Sequence, residues 1–259
     1  MLSNKNIKFI NSLQKKKFRD NHGLYIIEGD KLVREFIESD SGLELLVAKP
    51  EWISGLPEDK LKDIKTVIPV TYDELKKVST LKSPHNSLAL VKIQKRTLNW
   101  ESLLKDLSLV LDFVQDPGNM GTIIRIAAWF GIRTVICSEN CVDIYNPKVI
   151  QSTMGALLHV DVVYTNLTEF LLKSNELKLP VYATSLEGES VYESDLSQNG
   201  LILFGNESKG ISTEYQSMVT KKLLIPSYGT IDAGLDSLNV AMSAAIICSE
   251  FRRKYSSVK

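Results

Sequence analysis

The sequence contains only three cysteines among its 259 residues, at Cys137, Cys141 and Cys248. Their number is odd, and the Cys137/Cys141 pair has no second pair of ligands that would complete a zinc site. We interpret all three as reduced thiols, which predicts a cytoplasmic protein. Neither a signal-like N-terminal stretch nor a long apolar run is present, so the sequence indicates neither secretion nor membrane insertion.

Two common phosphate-binding patterns are also missing. The sequence has no Gly-x-Gly-x-x-Gly fingerprint and no Gly-x-x-x-x-Gly-Lys-Ser/Thr loop. Their absence weighs against a dinucleotide-binding Rossmann enzyme, a P-loop nucleotide hydrolase and the commoner Rossmann-like methyltransferases. No His, Cys, Asp and Glu residues occur with metal-ligand spacing, so we predict no metal site.

The chain has no net charge, because 31 Lys and Arg residues balance 31 Asp and Glu residues. This balance argues against a protein that coats nucleic acid by bulk charge, although a local basic face remains compatible with it. The charges are unevenly distributed, and basic residues gather near the N-terminus at Lys5, Lys8, Lys15, Lys16, Lys17, Arg19, Lys31 and Arg34.

The pattern of apolar residues predicts an α/β protein with two domains. Strand and helix patterns alternate over residues 1–95, and a polar stretch at 96–105 reads as a linker. Residues 106–259 form the second domain. Short apolar runs separated by helical segments predict a parallel sheet covered on both faces, with strands at 107–114, 134–137, 160–164, 180–184, 200–204 and 222–226.

Three helices follow from the same pattern. Residues 3–20 predict a short helix followed by the basic cluster, and residues 72–78 predict a helix capped by Thr71. The last helix is predicted from about Asp236 to Tyr255.

Three segments of the second domain share one design, in which an apolar run ends abruptly in glycines and small polar residues. They are Asp116–Arg125, Leu201–Ile211 and Leu223–Val240. Loops of this kind at strand ends let backbone N–H and C=O groups reach a small molecule. Three of them in one chain predict a single composite ligand site.

In order and spacing, these segments resemble the three motifs of SpoU-type (TrmH-like) RNA ribose 2′-O-methyltransferases of the SPOUT class. The resemblance covers roughly residues 106 to 255, and Ser227 departs from the methionine often found after Ile-Pro. The family implies a parallel sheet with a deep trefoil knot. Residues 1–95 resemble the small ribosomal-protein-like substrate-binding domain often fused ahead of it. The matching positions are Asn119, Gly121, Arg125, Gly205, Glu207, Gly210, Ile225, Pro226, Ser237, Leu238, Asn239 and Val240.

The resemblance implies S-adenosyl-L-methionine as cofactor, bound between the second and third motif loops. Such a ligand needs an apolar slot and a few well-placed hydrogen bonds. Taken singly, each of these loop positions could equally belong to a plain turn. The cofactor residues carried over by position are Gly205, Ile225, Pro226, Leu238 and, at the end of another apolar run, Thr184.

The family further implies that Arg125 faces the target ribose. From the sequence alone, an arginine flanked by isoleucines needs an anionic partner, and a carboxylate within the protein would serve equally well. A guanidinium stays protonated, so it is better suited to grip a phosphate and stabilise developing charge than to act as a base. Arg125 could act in its own site or in that of a dimer partner.

Four further residues belong to the predicted catalytic set. Asn119 would contact the ribose or hold Arg125, or simply cap a helix. Glu207 reads as an orienting acceptor for Asn119 or Arg125, or as a surface acid. Ser237 and Asn239 open the last helix, where one could cap it and the other contact a ligand.

The expected partners are RNA and a second copy of the chain. Lys15, Lys16, Lys17 and Arg19 would contact RNA phosphates, although a solvated helix face explains the same charges. Ribosomal RNA is favoured over transfer RNA, because the fused N-terminal domain resembles that of ribosomal-RNA members. The alternatives are an RNA-binding or ribosome-assembly factor that kept the fold without catalysis and, more distantly, a nucleotide-binding protein without RNA.

Overall fold

The computed structural model describes residues 1–39, 41–229 and 237–253. The chain divides into two compact units. The N-terminal unit comprises Met1–Lys95 and Asp143–Leu158, and the C-terminal unit comprises Arg96–Val142 and His159–Lys259. The first unit therefore includes a short segment of sequence from the second half of the chain.

The helices of the described ranges are mostly short. They are α1 (Asn4–Ser12), α2 (Lys16–His22), α3 (Asp30–Glu38), α4 (Pro50–Ile53), α5 (Glu58–Lys62), α6 (Tyr72–Lys76), α7 (Trp100–Lys105), α8 (Pro117–Trp129), α9 (Pro147–Thr153), α10 (Leu167–Glu176) and α11 (Val240–Arg253). Within those ranges, none is both long and apolar enough to cross a membrane.

A four-stranded sheet organises the N-terminal unit. Its strands run in the order β1-β4-β2-β3. The fourth strand is antiparallel to the first and second, while the third is parallel to the second. The strands are β1 (Leu24–Glu28), β2 (Leu43–Ala48), β3 (Val67–Pro69) and β4 (Ser87–Lys92).

Helices cover both faces of this sheet. Successive side chains of a strand point to opposite faces, so neighbouring residues pack against different helices. Ile27 packs on one face with Phe36 of α3. Its neighbour Ile26 packs on the other face with Ile10 of α1 and Leu75 of α6. Odd and even positions of the strand are therefore both apolar, because helices pack on each side of the sheet.

Of the helix predictions for this unit, one is wrong and one is confirmed. The prediction of one helix over residues 3–20 is wrong, because the chain turns at Leu13 and forms α1 and α2 instead. Leu13 is fully buried, so the turn places it in the core. The predicted cap at Thr71 is confirmed: its hydroxyl accepts from the backbone N–H of Glu74, whose carboxylate accepts from the N–H of Thr71.

The segment Asp143–Leu158 packs within the N-terminal unit through α9. Tyr145 lies against Tyr25 of β1, with ring centroids 4.6 Å apart, and Asp143 forms an ion pair with Arg19. Gly155 has a φ of +87° and lies so close to Glu35 that an added Cβ would meet Oε2 at 2.2 Å. The Glu35 carboxylate could move aside, so it is the positive φ that favours glycine at this point.

The C-terminal unit is built on a six-stranded sheet in which every strand pairing is parallel, as predicted. The strand order is β10-β8-β9-β5-β6-β7. Carboxyl ends of parallel strands meet at one edge of a sheet, which is where open α/β sheets bind ligands. The strands are β5 (Leu107–Leu111), β6 (Thr134–Ser138), β7 (Asp161–Thr165), β8 (Val181–Ser190), β9 (Gly200–Phe204) and β10 (Lys221–Leu224).

Helices α8 and α11 lie side by side and run in the same direction. At their N-terminal ends, Asn239 donates a hydrogen bond to Asn119. At their C-terminal ends, Arg252 donates to the carbonyl of Phe130. The predicted last helix is thus found from Val240 to Arg253, and its predicted ends at 236 and 255 lie outside the described residues.

Candidate active site

A cavity of about 720 Å³ lies in the C-terminal unit, where β9 and β10 end beside the neighbouring strand β8. The loops after β9 and β10 and the start of α11 form its walls, together with the exposed part of β8. Its lining mixes apolar side chains with backbone polar groups of the loops. The residues predicted to bind cofactor that line it are Thr184, Gly205, Ile225 and Leu238.

Gly205 directly follows β9, at a point where two segments of backbone nearly touch. A Cβ at this position would lie 2.2 Å from the carbonyl carbon of Gly210 and 2.3 Å from the nitrogen of Ile211. No side chain fits there, so the loop depends on glycine. Asn206 and Gly210 then exchange two backbone hydrogen bonds of 2.9 Å, which close the loop on itself.

Helix α8 begins beside this loop, and its cap differs from the one expected. Asp116 is the N-cap, and its carboxylate accepts from the backbone N–H of Asn119 at 2.8 Å. The interpretation of Asn119 as a helix cap is therefore wrong. Because Asp116 satisfies the helix end, the side chain of Asn119 is free to bond elsewhere.

The amide of Asn119 joins the second and third motif loops. Its Nδ2 donates to Oε1 of Glu207 at 3.0 Å, and its Oδ1 accepts from Nδ2 of Asn239 at 2.9 Å. Three of the predicted catalytic residues are thus hydrogen-bonded to one another, and both Glu207 and Asn239 line the cavity.

Asn239 also caps α11. Its Oδ1 accepts from the backbone N–H groups of Ala241 at 2.9 Å and Met242 at 3.4 Å. Of the two residues predicted to open this helix, Asn239 is therefore the one that caps it, while Ser237 is exposed on the cavity wall. The same Asn239 amide that donates to Asn119 fixes the start of α11.

The geometry concentrates positive potential at one point. Two parallel helices of 13 and 14 residues begin here, at Pro117 and Val240. Each helix N-terminus carries the equivalent of about half a positive charge. The carboxylate of Glu207 is bonded to the first turn of α8 through Asn119, which in turn is bonded to Asn239 at the start of α11.

Arg125 lies on the exposed face of α8. Ile123 and Ile124 on the same helix are fully buried, but the arginine is not among them. The expectation of a carboxylate partner within the protein is wrong for the part of the chain that the structure describes, where Arg125 has no ion pair. Since its charge is hydrated, its guanidinium can bind an external anion.

The cavity suits the cofactor that the resemblance implies. Leu186, Ile225 and Leu238 supply apolar surface, which an adenine ring requires. Gly205 lines the cavity, and the absence of a side chain lets its backbone pack directly against that of Gly210 in the cavity wall. Thr184 is half-buried, and its hydroxyl donates to the carbonyl of Leu203 at 3.2 Å. Pro226, which was also predicted to bind cofactor, is not part of the lining.

The four predicted RNA-binding residues fall into two groups. Lys15, Lys16 and Lys17 are exposed. Arg19 is only 2% exposed, donates to Asp143 and also bonds the carbonyl of Leu13 at 2.9 Å. The prediction that Arg19 contacts RNA is therefore corrected, because its guanidinium is buried and already paired.

Two residues near the site escaped the sequence prediction. The side chain of Asn206 forms hydrogen bonds within its own loop and donates one to the carbonyl of Phe113, which follows β5 and adopts a φ of +59°. An asparagine after a strand-ending glycine is a turn signal and was available in the sequence. The left-handed backbone of Phe113 has no such signal, because bulky residues rarely adopt it.

Two family models match the chain. That of the SpoU rRNA Methylase family matches residues 106–249, and that of the MRM3-like substrate binding domain matches residues 4–89. A Bacillus subtilis relative, named 23S rRNA (guanosine(2553)-2′-O)-methyltransferase RlmP, is 29% identical over 250 residues, which cover 96% of each chain.

Solved structures agree over nearly the whole chain. An RNA methyltransferase of the TrmH family from Porphyromonas gingivalis is 36% identical with a TM-score of 0.87, covering 98% of this chain and 99% of its own. An AdoMet-bound rRNA methyltransferase from Sinorhizobium meliloti is 26% identical with a TM-score of 0.88, covering 99% and 97%. With more than half of its length matched by the family model, and the family's motif residues joined at one cavity, this chain belongs to the SpoU rRNA methylase family.

Proposed function

We propose that this protein transfers a methyl group from S-adenosylmethionine to a ribose 2′-hydroxyl of ribosomal RNA. The observation that carries the proposal is the hydrogen-bonded set of Asn119, Glu207 and Asn239 at the mouth of the cavity. Relatives named as ribosomal RNA 2′-O-methyltransferases support the substrate class.

Residues around the cavity would hold the cofactor. Gly205, Ile225 and Leu238 offer backbone groups and an apolar wall, and Thr184 completes one side. When bound, S-adenosylmethionine supplies a methyl group on a positively charged sulfur, which makes the methyl carbon open to displacement by an oxygen nucleophile. The protein's contribution is therefore mainly to orient the two reactants, which supplies on the order of 7–11 kcal/mol in favourable cases.

Arg125 would grip the RNA at the reacting ribose. Its side chain is exposed, and a guanidinium offers five N–H donors in a planar fork that matches phosphate oxygens. It therefore binds phosphate and stabilises developing negative charge on the ribose oxygen, without serving as a base. Asn119, held between Glu207 and Asn239, would present its amide in a fixed orientation beside it.

The two domains would have different functions. We assign RNA binding to residues 1–95, a linker to 96–105 and methyl transfer to 106–259. The match of residues 4–89 to a substrate-binding domain supports this division. Lys15, Lys16 and Lys17 would contact phosphates from their exposed positions. We also propose a deep trefoil knot in the methyltransferase domain and activity in the cytoplasm, where ribosomes are assembled in bacteria.

We further propose a homodimer. Trp129 on α8 is 84% exposed, and Met242 on the adjacent α11 is 62% exposed. Trp129 lies at the C-terminal end of α8 and Met242 near the N-terminal end of α11, so the dimer that we propose would cover exposed apolar side chains at both ends of this helix pair. Sedimentation analysis tests this: wild type should sediment as a dimer and Trp129→Glu should shift toward monomer. A wild-type monomer with full activity would contradict it.

The direct test of function uses labelled S-adenosylmethionine and two purified RNA pools. We expect label in large-subunit ribosomal RNA and little in transfer RNA. Label only in transfer RNA would reject the substrate class. Cofactor binding without label in any RNA or assembling subunit would favour a non-catalytic RNA-binding factor.

A further inference from the structure

Asn206 organises the loop that carries Glu207. Its side-chain Oδ1 accepts from the backbone N–H groups of Ser208 at 3.0 Å and Lys209 at 3.1 Å. Its backbone N–H and C=O are both bonded to Gly210. One residue therefore fixes the course of the whole loop, in the manner of an asparagine-centred turn.

The amide nitrogen of Asn206 makes two further bonds. It donates to the carbonyl of Phe113 at 2.8 Å and to Oε2 of Glu207 at 3.3 Å. A primary amide has two N–H groups, so both bonds form together. The first ties the loop to the end of β5, and the second acts on the carboxylate itself.

Phe113, whose carbonyl accepts from Asn206, is fixed by contacts of its own. Its backbone is left-handed, with φ at +59°, a conformation that persists only where surrounding contacts impose it. The hydroxyl of Ser138 accepts from its N–H at 2.9 Å, and the Lys209 ammonium lies 5.5 Å from the centre of its ring. The carbonyl that receives Asn206 is thus in a fixed place.

Glu207 is consequently bonded on both carboxylate oxygens. Oε2 accepts from Asn206, while Oε1 accepts from Asn119. Glu207 is exposed, so without the first bond its side chain would move among rotamers in solvent. Fixing Oε2 limits where Oε1 can lie, and hence where the amide of Asn119 is held.

We propose that Asn206 is a positioning residue for methyl transfer. It holds Glu207 so that Glu207 in turn orients Asn119, without touching substrate itself. This inference rests on the proposed function, since its kinetic effect is measured as methyl transfer.

The decisive variant is Asn206→Asp. Aspartate keeps the oxygen that accepts from Ser208 and Lys209, but it lacks the N–H groups that reach Phe113 and Glu207. Asn206→Ser adds no charge and also lacks the amide, so it separates the loss of the donor from added charge. The matched control is Asn166→Asp, because Asn166 caps α10 and aspartate caps a helix equally well.

Hydrogen bonds to charged groups are among the stronger ones, so both Asn206 variants should lower kcat by about tenfold or more. In Asn206→Asp the Kd for S-adenosylmethionine should stay within about threefold of the wild-type value, because aspartate keeps the oxygen that accepts from Ser208 and Lys209. In a Glu207→Ala background, Asn206→Ser should lower kcat by no more than about twofold. Equal losses in both backgrounds, or a loss confined to cofactor binding, would overturn the proposal.

A second readout does not depend on activity. The side-chain amide signal of Asn119 in a ¹⁵N spectrum, assigned with Asn119→Gln, should shift in both Asn206 variants and stay in place in Asn166→Asp. An unmoved signal would overturn the proposal. If wild type methylates no RNA, the proposed function fails, and this spectrum alone decides the role of Asn206.

Discussion

Oδ1 of Asn119 accepts a hydrogen bond from Nδ2 of Asn239, which lies 120 residues further along the chain. Through its Nδ2, the same side chain donates to Glu207, 88 residues away. One amide therefore uses its acceptor on one distant segment and its donor on another. Asparagine suits this position because it carries both groups on one rigid plane.

Replacing Asn119 with Asp should lower kcat by about 10-fold to 100-fold, because the donor is lost and a second carboxylate then faces Glu207. The new carboxylate can still accept from Asn239, so the start of α11 should persist. Single-turnover methyl transfer measures the loss. Asn166→Asp should behave as wild type, and an Asn119→Asp enzyme with unchanged kcat would contradict the role assigned to this amide.

Gly205→Ala should weaken S-adenosylmethionine binding by about tenfold or more, since forcing a side chain into a filled space costs about 1–3 kcal/mol. The added Cβ would meet the backbone of Gly210 at 2.2 Å, so the cavity wall must shift. Calorimetric titration measures the change. Gly55→Ala is the control, because its Cβ would meet no atom closer than 3.5 Å. Equal cofactor affinity in both variants would reject this wall as the binding surface.

Replacing Lys15, Lys16 and Lys17 together with Ala should weaken RNA binding and lower its salt dependence. The slope of log affinity against log salt should fall by about 2 to 3, if each lysine neutralises one phosphate. The control removes three exposed lysines from elsewhere in the same unit, Lys62, Lys76 and Lys82. If the control changes the slope as much, the effect is bulk charge and the assigned contact surface is wrong.

Cys141 should be the first cysteine to react with iodoacetamide. The Cys137 thiol donates a hydrogen bond that lowers the pKa of Cys141 to about 7, assisted by the Ser138 hydroxyl and the N–H of Val114. Burial raises the pKa of Cys137 well above its usual value and that of Cys248 to about 12. A lowered pKa means that the reactive thiolate is present above about pH 7 and is lost as the pH falls.

Labelling of the native protein, followed by peptide mapping, tests this order. The rate at Cys141 should rise through about pH 7 and level off, whereas the other two cysteines should react only when the protein unfolds. Cys141 is 8% exposed, so labelling should be slow even at high pH. Faster reaction at Cys248 would show that access governs the order and the lowered pKa does not.

Much of this fold could be predicted because its determinants are local. Buried parallel strands consist largely of apolar residues, as in Gly200–Phe204, so each appears as a nearly continuous run. The cap at Thr71 depends only on Glu74, three residues away. The three strand-end loops were visible for the same reason, since glycine and small polar residues mark them within a few positions.

The remaining features depend on contacts between distant residues. Arg19 reads as one more charge in a basic cluster, and only its pairing with Asp143, 124 positions away, buries it. Arg125 reads as surrounded by isoleucines, but the helix turns it to solvent. The bonds of Asn119 likewise join three segments whose proximity arises from the order of strands in the sheet.

If the proposed function is right, this chain methylates a ribose 2′-oxygen of ribosomal RNA with the help of Arg125. The most direct measurement is the identity of the labelled nucleoside, recovered after complete digestion of ribosomal RNA treated with labelled S-adenosylmethionine. Arg133→Ala serves as the control, because Arg133 is a second exposed arginine of the C-terminal unit. Wild type and Arg133→Ala should both yield a 2′-O-methylated nucleoside, and Arg125→Ala should transfer methyl at least about 100-fold more slowly. Label on a base, or an Arg125→Ala enzyme as active as Arg133→Ala, would show that the proposed function is wrong.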